Sequence, residues 1–188
     1  MAALQHDHNQ RGSLDNLRMK KLLSPAIVLA VFLLDRFTKS WTLAHLLNRS
    51  VAVLPFLKFT YAENTGVAFG MFQQLPGGRI WLTVVALAAL LLVGYYLVRS
   101  HPRQLRLHLA LGLVGGGAVG NLVDRIAFGR VTDFIVWKVG THEWPAFNIA
   151  DAALVVGVAL MALDMLLDKH GHSAEAAPPP ESASSKES

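Results

Sequence analysis

Asp133 and Asp151 are the residues of this chain whose type and surroundings best suit chemistry. Asp151 follows Asn148 by three positions at the start of a long apolar stretch, and Asp133 lies inside the apolar run VTDFI. Asn148 and Asp151 fit a capping box, in which side chains satisfy the first N–H groups of a helix. Capping does not explain a second carboxylate with apolar neighbours. A pair of carboxylates suits acid–base hydrolysis or the carriage of protons and ions, so a hydrolase and a carrier both stay open.

Four long apolar stretches must position these carboxylates. They cover residues 22–41, 80–98, 107–126 and 149–167, and each approaches the roughly 20 residues that cross a bilayer. Of 188 residues, 53% are hydrophobic and 16% charged, which favours a single membrane domain. The sequence therefore predicts a membrane all-α bundle of four transmembrane helices.

The polar residues of these stretches gather on one side of the predicted membrane. If consecutive spans alternate in direction, the ends of spans one and three, the start of span four and two connecting segments share one surface. Ionisable groups at membrane depth cost about 2.5 to 3.5 kcal/mol each, so such a cluster indicates a functional site. Its members are Asp35, Lys39, Glu63, Asn64, Asn121, Asp124, Arg125, Asp133, Asn148 and Asp151.

The distribution of cations predicts the orientation. Arg18, Lys20 and Lys21 directly precede the first span, and three arginines lie in the short turn 99–106. Because Lys and Arg concentrate in cytoplasmic loops, both termini are expected in the cytoplasm and the polar cluster near the periplasmic surface. The predicted organisation is a cytoplasmic segment 1–21, a membrane domain 22–168 with periplasmic loops 42–79 and 127–147, and a disordered cytoplasmic tail 169–188.

The first periplasmic loop carries strand signals. Residues 51–54 and 57–61 read as short strands, and 67–72 follows as a third candidate after the turn ENTG. A small periplasmic β-sheet is therefore predicted on the outer membrane surface, where its edge could hold an extended peptide.

Several of the polar and small residues have structural explanations. Asp35 and Lys39 are one helical turn apart and can pair with each other. Asn121, Asp124 and Arg125 can tie loops to a helix end, with substrate contact as the alternative. A glycine at every fourth position gives a smooth stripe for close helix packing. The members of that stripe are Gly112, Gly116 and Gly120.

Other classes of function find little support. The chain has no cysteine, and its eight histidines show no HExxH spacing, so no metal site and no cofactor are expected. The net charge of +4 comes from scattered or span-flanking residues, which does not indicate nucleic-acid binding. A carrier would need polar groups through the membrane, and a non-catalytic scaffold would leave the two carboxylates without a purpose.

Five short motifs give the chain a family resemblance. They are LDRFTK at 34–39, NTGVAF at 64–69, GNLVDR at 120–125, VTDF at 131–134 and FNIAD at 147–151. In this order among four spans, they make residues 22–167 resemble lipoprotein signal peptidase, the bacterial signal peptidase II. The alternative is a small membrane carrier with a carboxylate-based proton or ion site.

The resemblance implies an aspartic membrane endopeptidase of the inner membrane. Such an enzyme removes the signal peptide from diacylglyceryl-modified prolipoproteins by cleaving before the lipidated cysteine. It also implies that the partners are these prolipoproteins and membrane phospholipid, and that the enzyme is a monomer. The family's catalytic pair matches Asp133 and Asp151. Substrate-binding or site-supporting residues match Asp35, Lys39, Asn64, Gly66, Asn121, Asp124, Arg125, Asn148 and Ala150.

Overall fold

The structure, a computed structural model, describes residues 2–66, 78–101 and 104–175. Within these ranges the helices are α1 (Ala2–Leu46), α2 (Gly78–Arg99), α3 (Leu105–Phe128) and α4 (Ile149–Glu175). The strands are β1 (Ser50–Leu54), β2 (Leu57–Asn64), β3 (Val131–Val139) and β4 (His142–Glu143). The strands form an antiparallel sheet in the order β1-β2-β3-β4.

Helix α3 is the centre of the bundle. Of its apolar segment 72% is buried, against 6% for α2 and 17% for α4, so the other helices surround it. The glycine stripe of α3 faces α1, and a Cβ at any of its positions would lie within 2.7 Å of an α1 side chain. The predicted role of the stripe in close packing is therefore confirmed. The facing pairs are Gly112 with Ile27, Gly116 with Val31, and Gly120 with Asp35.

The packing partners also give the relative directions of the helices. The α1 partners of the stripe rise in step with it, so α1 and α3 run parallel. Gly117 of α3 meets Ala150 and Leu154 of α4, whereas Gly157 of α4 meets Val114, so α3 and α4 run antiparallel. The ends of α1 and α3 and the start of α4 consequently lie together.

Three helices among the described residues are long and apolar enough to cross a membrane: α2, α3 and α4. Helix α1 is not among them, and its apolar part carries Asp35, Arg36 and Lys39. The predicted count of four transmembrane helices is therefore not confirmed. The outward surface of α1 is nonetheless apolar, with Leu33 55% and Phe37 69% exposed.

The helices extend into both predicted terminal segments. Helix α1 includes residues 2–21, because this stretch contains many helix-forming residues and no proline, and Pro25 of α1 lies beyond it. Helix α4 continues to Glu175, so it includes the first residues of the predicted tail. Residues 176–188 of the predicted disordered tail lie outside the described residues.

The sheet contains two strands that the sequence predicts and one long strand that it does not predict. Strands β1 and β2 confirm those predicted at 51–54 and 57–61. The candidate strand 67–72 lies outside the described residues. The segment 127–147, predicted as a periplasmic loop, contains a strand that was not predicted, because Val131–Val139 forms β3 between β2 and β4. Its branched and aromatic side chains suit a half-buried pleated surface.

Candidate functional site

A helix cap and a strand pairing bring Asp133 to the start of α4. Gly129 caps the end of helix α3 with a φ of 71°, a left-handed conformation open to glycine, and β3 begins two residues later. Strand β3 then pairs with Phe147, two residues before the start of α4. The N–H groups of Phe134 and Ile135 donate to the Phe147 carbonyl at 3.0 and 2.9 Å, and the Phe147 N–H donates to Ile135 at 3.0 Å. Asp133 therefore lies beside Asn148.

Asp133 is buried and held by two asparagine amides. Its side chain is 1% exposed. Asn148 Nδ2 donates to Asp133 Oδ1 at 2.6 Å, and Asn64 Nδ2 donates to Asp133 Oδ2 at 2.9 Å. The sheet register explains the second contact, because Asn64 pairs with Val131 and so lies diagonally opposite Asp133 on the same face.

Asp151 is held at the first turn of α4. Its backbone N–H donates to Asn148 Oδ1 at 2.9 Å, and the Asn148 N–H donates to Asp151 Oδ2 at 3.3 Å. This reciprocal pair is the capping box that the spacing predicts. Asn121 Nδ2 of α3 donates to the other oxygen, Asp151 Oδ1, at 2.7 Å. Asn148 and Asp151 therefore cap helix α4 and also belong to the site, because Asn148 contacts both Asp151 and Asp133.

A buried charge cluster lies behind the two aspartates. Lys39 is fully buried, and its Nζ lies 2.7 Å from Asp35 Oδ2, 2.9 Å from Asp124 Oδ2 and 3.2 Å from Asn121 Oδ1. The predicted Asp35–Lys39 pair is present, but it is part of a larger cluster. Arg36 forms an ion pair with the second oxygen of Asp124. The cluster therefore ties the end of α1 to the end of α3.

The other predicted residues lie at the same place. The Gly66 N–H donates to Asn64 Oδ1 at 3.0 Å, which fixes the turn after β2. The Ala150 N–H donates to Asp35 Oδ1 at 3.1 Å and links α4 to α1. Arg125 donates to the Asn121 carbonyl at 3.3 Å and is within electrostatic range of both Asp133 and Asp151.

Close packing of α3 against α4 is a condition for this arrangement. A Cβ at Gly117 would lie 2.4 Å from the Ala150 carbonyl oxygen, and one at Gly120 would lie 2.7 Å from Asp35 Oδ2. Real Cβ atoms do not approach other heavy atoms this closely. A side chain at Gly117 would push the start of α4, and Asp151 with it, away from α3, whereas one at Gly120 would displace the Asp35 carboxylate of α1.

The environment of Asp133 favours its protonated form. Burial, and secondarily the nearby charge of Asp151, raises the pKa of Asp133 from its usual 3.8 to about 7, although the Asn64 and Asn148 amides act in the opposite direction. A carboxyl group that holds its proton near neutral pH can act as an acid beside a second carboxylate that acts as a base. Within the described ranges, no three His, Asp or Glu side chains come together as metal ligands.

Two features of the site escaped the sequence analysis. Arg36 was not predicted, although it lies in the same apolar stretch as Asp35 and Lys39 and is equally unusual there. The second feature concerns the sheet edge. Strand β1 is separated from β3 by β2, a distance of about 10 Å at the usual strand spacing. A peptide added at the β1 edge would therefore not reach Asp133.

Comparison with known proteins assigns the family. The model of the signal peptidase II family matches residues 27–167. The lipoprotein signal peptidase of Shewanella amazonensis is 44% identical over 140 residues, which cover 73% of this chain and 83% of that protein. That of Syntrophus aciditrophicus is 42% identical over 154 residues, which cover 79% of this chain and 96% of that protein.

A solved structure agrees with this assignment. A bacterial membrane enzyme determined by the in meso method at 2.3 Å resolution superposes with a TM-score of 0.69. It is 28% identical, and the match covers 87% of this chain and 94% of that enzyme. With a family model matched over most of its length, this chain belongs to the signal peptidase II family of lipoprotein signal peptidases.

Proposed function

We propose that this protein is an aspartic endopeptidase in which Asp133 and Asp151 hydrolyse the bond before the lipidated cysteine of diacylglyceryl-modified prolipoproteins. As a member of its family, the protein is a bacterial membrane protease that removes signal peptides from prolipoproteins. The observation that carries the aspartic mechanism is the shared contact through Asn148, which holds two carboxylates in one site and in different surroundings.

The pair can supply both proton transfers that amide hydrolysis requires. In the proposed reaction, Asp151 accepts a proton from water while the water oxygen adds to the peptide carbonyl carbon. Protonated Asp133 donates a hydrogen bond to the carbonyl oxygen and stabilises its developing charge. The C–N bond then breaks as the proton that Asp151 took from water passes to the leaving amine. No metal is required for these steps.

Asn64, Asn121 and Asn148 support this division of roles. Two amide donors meet Asp133 and one meets Asp151, which also receives the Asn148 backbone N–H. Such donors fix the carboxylates in place and limit the reorganisation that the reaction needs. We assign the remaining predicted residues, with Lys39 and Asp124 at their centre, to the support of this site.

The helix directions and the apolar surface of α1 also support a position of the site at the outer surface of the bacterial inner membrane. Parallel α1 and α3 with antiparallel α4 fit four spans of alternating direction, and the outward apolar residues of α1 suit contact with phospholipid. In this arrangement both termini are cytoplasmic and the sheet is periplasmic. The acyl chains of the substrate stay in the bilayer while its peptide crosses the sheet face next to Asp133. A monomer supplies every residue of this site.

The test is cleavage of a diacylglyceryl-modified prolipoprotein by the purified protein, measured as a mass shift. Asp133→Asn and Asp151→Asn should each lower the rate by at least about 10² to 10⁴, the usual contribution of a positioned acid or base. The double variant should be little slower than either single one, because the two groups act as one unit.

Gly94→Ala is the matched control. A Cβ at Gly94 meets nothing within 4 Å, so this variant should cleave at the wild-type rate. Chelators should not change the rate of any variant. Substantial turnover by either aspartate variant, in protein that inserts normally and binds substrate, would sink the aspartic mechanism.

A further inference from the structure

The outer half of β3, furthest from the helix ends, has an apolar face and a charged face. Successive side chains of a strand point to opposite faces of the sheet. Trp137 and Val139 therefore share the face of Asp133, and Lys138 lies on the other face. Asp133 is buried beside the start of α4, whereas Trp137 is 54% exposed and Val139 is 80% exposed. The face that carries Asp133 thus continues outward as an exposed apolar surface.

The neighbouring residues repeat this division. The Trp144 N–H donates to the Trp137 carbonyl at 2.7 Å, so the two tryptophans lie opposite each other on one face. Trp144 is 59% exposed. On the other face, Lys58 Nζ donates to both carboxylate oxygens of Glu143 at 2.7 Å, and Glu143 pairs with Lys138. The apolar face is defined here by Trp137, Val139 and Trp144, and the charged face by Lys58, Lys138 and Glu143.

The sheet begins where two apolar helices meet it. Strand β3 starts three residues after Phe128, the last residue of α3, and pairs with Phe147 two residues before α4. Both helices are long and apolar enough to cross a membrane. Ile126 and Phe128 are 65% and 59% exposed, which suits contact with lipid at the end of α3. The inner end of the sheet therefore lies at the membrane surface.

We propose that the apolar face of the sheet rests on the phospholipid headgroup region of the adjacent leaflet while the charged face lies in water. Tryptophan concentrates at membrane–water interfaces because its ring is apolar and its N–H is polar. Charged groups are disfavoured in lipid, so the charged face excludes the opposite orientation. Phospholipid is the partner that the position of the sheet already supplies. This inference goes beyond the proposed function and does not depend on which residues catalyse cleavage.

The fluorescence of Trp137 tests this contact. The chain has four tryptophans, and changing Trp41, Trp81 and Trp144 to Phe leaves Trp137 as the sole tryptophan while an aromatic ring stays at each position. The purified full chain is placed in phospholipid nanodiscs, one copy per disc, with or without lipid brominated near the carbonyl ends of its acyl chains. Interfacial side chains reach about 5 to 10 Å into the headgroup and acyl boundary, so brominated lipid should quench about half or more of the emission. Acrylamide in the water should quench it weakly.

Lys138→Trp is the matched control. In a chain whose four native tryptophans are changed to Phe, this variant places the tryptophan one position further along β3 but on the charged face. Acrylamide should quench it strongly and brominated lipid only weakly. Val139→Trp in the same background returns the tryptophan to the apolar face and should behave like Trp137. The expected result is an alternation along the strand, which a gradual change of depth would not give.

Three results would overturn the inference. Equal quenching by brominated lipid at all three positions would show that the two faces do not differ. Strong quenching of Trp137 by acrylamide in single-copy discs would place the apolar face in water, or against a second copy if the quenching disappears when several copies share a disc. Weak quenching of Trp137 by both agents in single-copy discs would mean that another part of the chain covers it. None of these results depends on the activity of Asp133 or Asp151, so this failure and failure of the aspartic mechanism are distinguishable.

Discussion

Asp133→Asn should make the protein more stable at alkaline pH than the wild type while it abolishes cleavage. The reason is that the ionisable carboxyl group of Asp133 is buried, and burial disfavours its charged form. Burial raises the pKa of Asp133 to about 7, so the folded protein binds this proton more tightly than the unfolded chain does. Ionisation of Asp133 at high pH therefore destabilises the fold, and an amide cannot ionise.

The sign and size of the effect follow from linkage. Because the pKa is raised on folding, the contribution of Asp133 is fully favourable below the unfolded value of 3.8 and is lost as pH rises to about 7. At about 1.36 kcal/mol for each pH unit, the complete loss is about 4 kcal/mol. About 2 to 3 kcal/mol of it occurs between pH 5 and pH 8, because part is already lost at pH 5.

The substitution also has a cost. Both oxygens of Asp133 accept hydrogen bonds from amides, so an asparagine nitrogen would face a donor on one side. A lost hydrogen bond of this kind costs about 1 to 3 kcal/mol at any pH. The variant should therefore be within about 2 kcal/mol of the wild type in stability at pH 5 and more stable than the wild type at pH 8.

The measurement is the melting temperature of both proteins in detergent micelles across this pH range. For a chain of this size, about 2 to 3 kcal/mol corresponds to a change of about 5 to 10 °C in the difference between variant and wild type. Glu63→Gln is the control, since Glu63 is exposed and should show little such change. A pH-independent difference for Asp133→Asn would refute the reasoning.

Three further predictions concern packing, the first loop and orientation. Gly117→Ala should destabilise the protein by about 1 to 3 kcal/mol and reduce cleavage, because a Cβ there meets the backbone of α4. Gly94→Ala is the control and should do neither. Thermal melting and the mass-shift assay measure the two effects, and equal behaviour of both variants would contradict the packing argument. Asn64→Ala should slow cleavage about tenfold or more without preventing membrane insertion, because Asp133 loses one of its two amide donors. A wild-type rate would mean that the loop only connects. Reporter fusions should place Ser100 in the cytoplasm and Val139 in the periplasm; the opposite result for either would reverse the proposed orientation.

Sequence patterns predicted much of the helix arrangement because helix periodicity is local. The four-residue glycine spacing indicated a close helix contact, and Cβ positions within 2.7 Å of α1 show how close it is. The capping box was likewise readable from Asn148 and Asp151, because its geometry depends on three-residue spacing alone. The partner of the glycine stripe was not readable, since any neighbouring helix could have filled that role.

The role of β3 could not be derived from the same kind of pattern. Its nine residues have strand-forming side chains, but their partners in β2 lie 67 to 80 residues earlier in the chain, and a further partner, Phe147, lies next to α4. Pairing over such separations is set by the closed fold and not by local preference. Arg36 was missed for a related reason, because its partner Asp124 is on a different helix.

The charges of the site give an independent reason to expect one shared proton on the two aspartates. Among the described residues of the site, four carboxylates face three cations. The cluster of Asp35, Asp124, Arg36 and Lys39 is neutral by itself, which leaves two aspartates opposite one arginine. A buried excess charge is costly at membrane depth, and one proton removes it. Asp133, buried and with its pKa raised to about 7, is the member suited to hold that proton, whereas Asp151 at the helix start meets donors from two sides. The groups that give this balance are Asp35, Arg36, Lys39, Asp124, Arg125, Asp133 and Asp151.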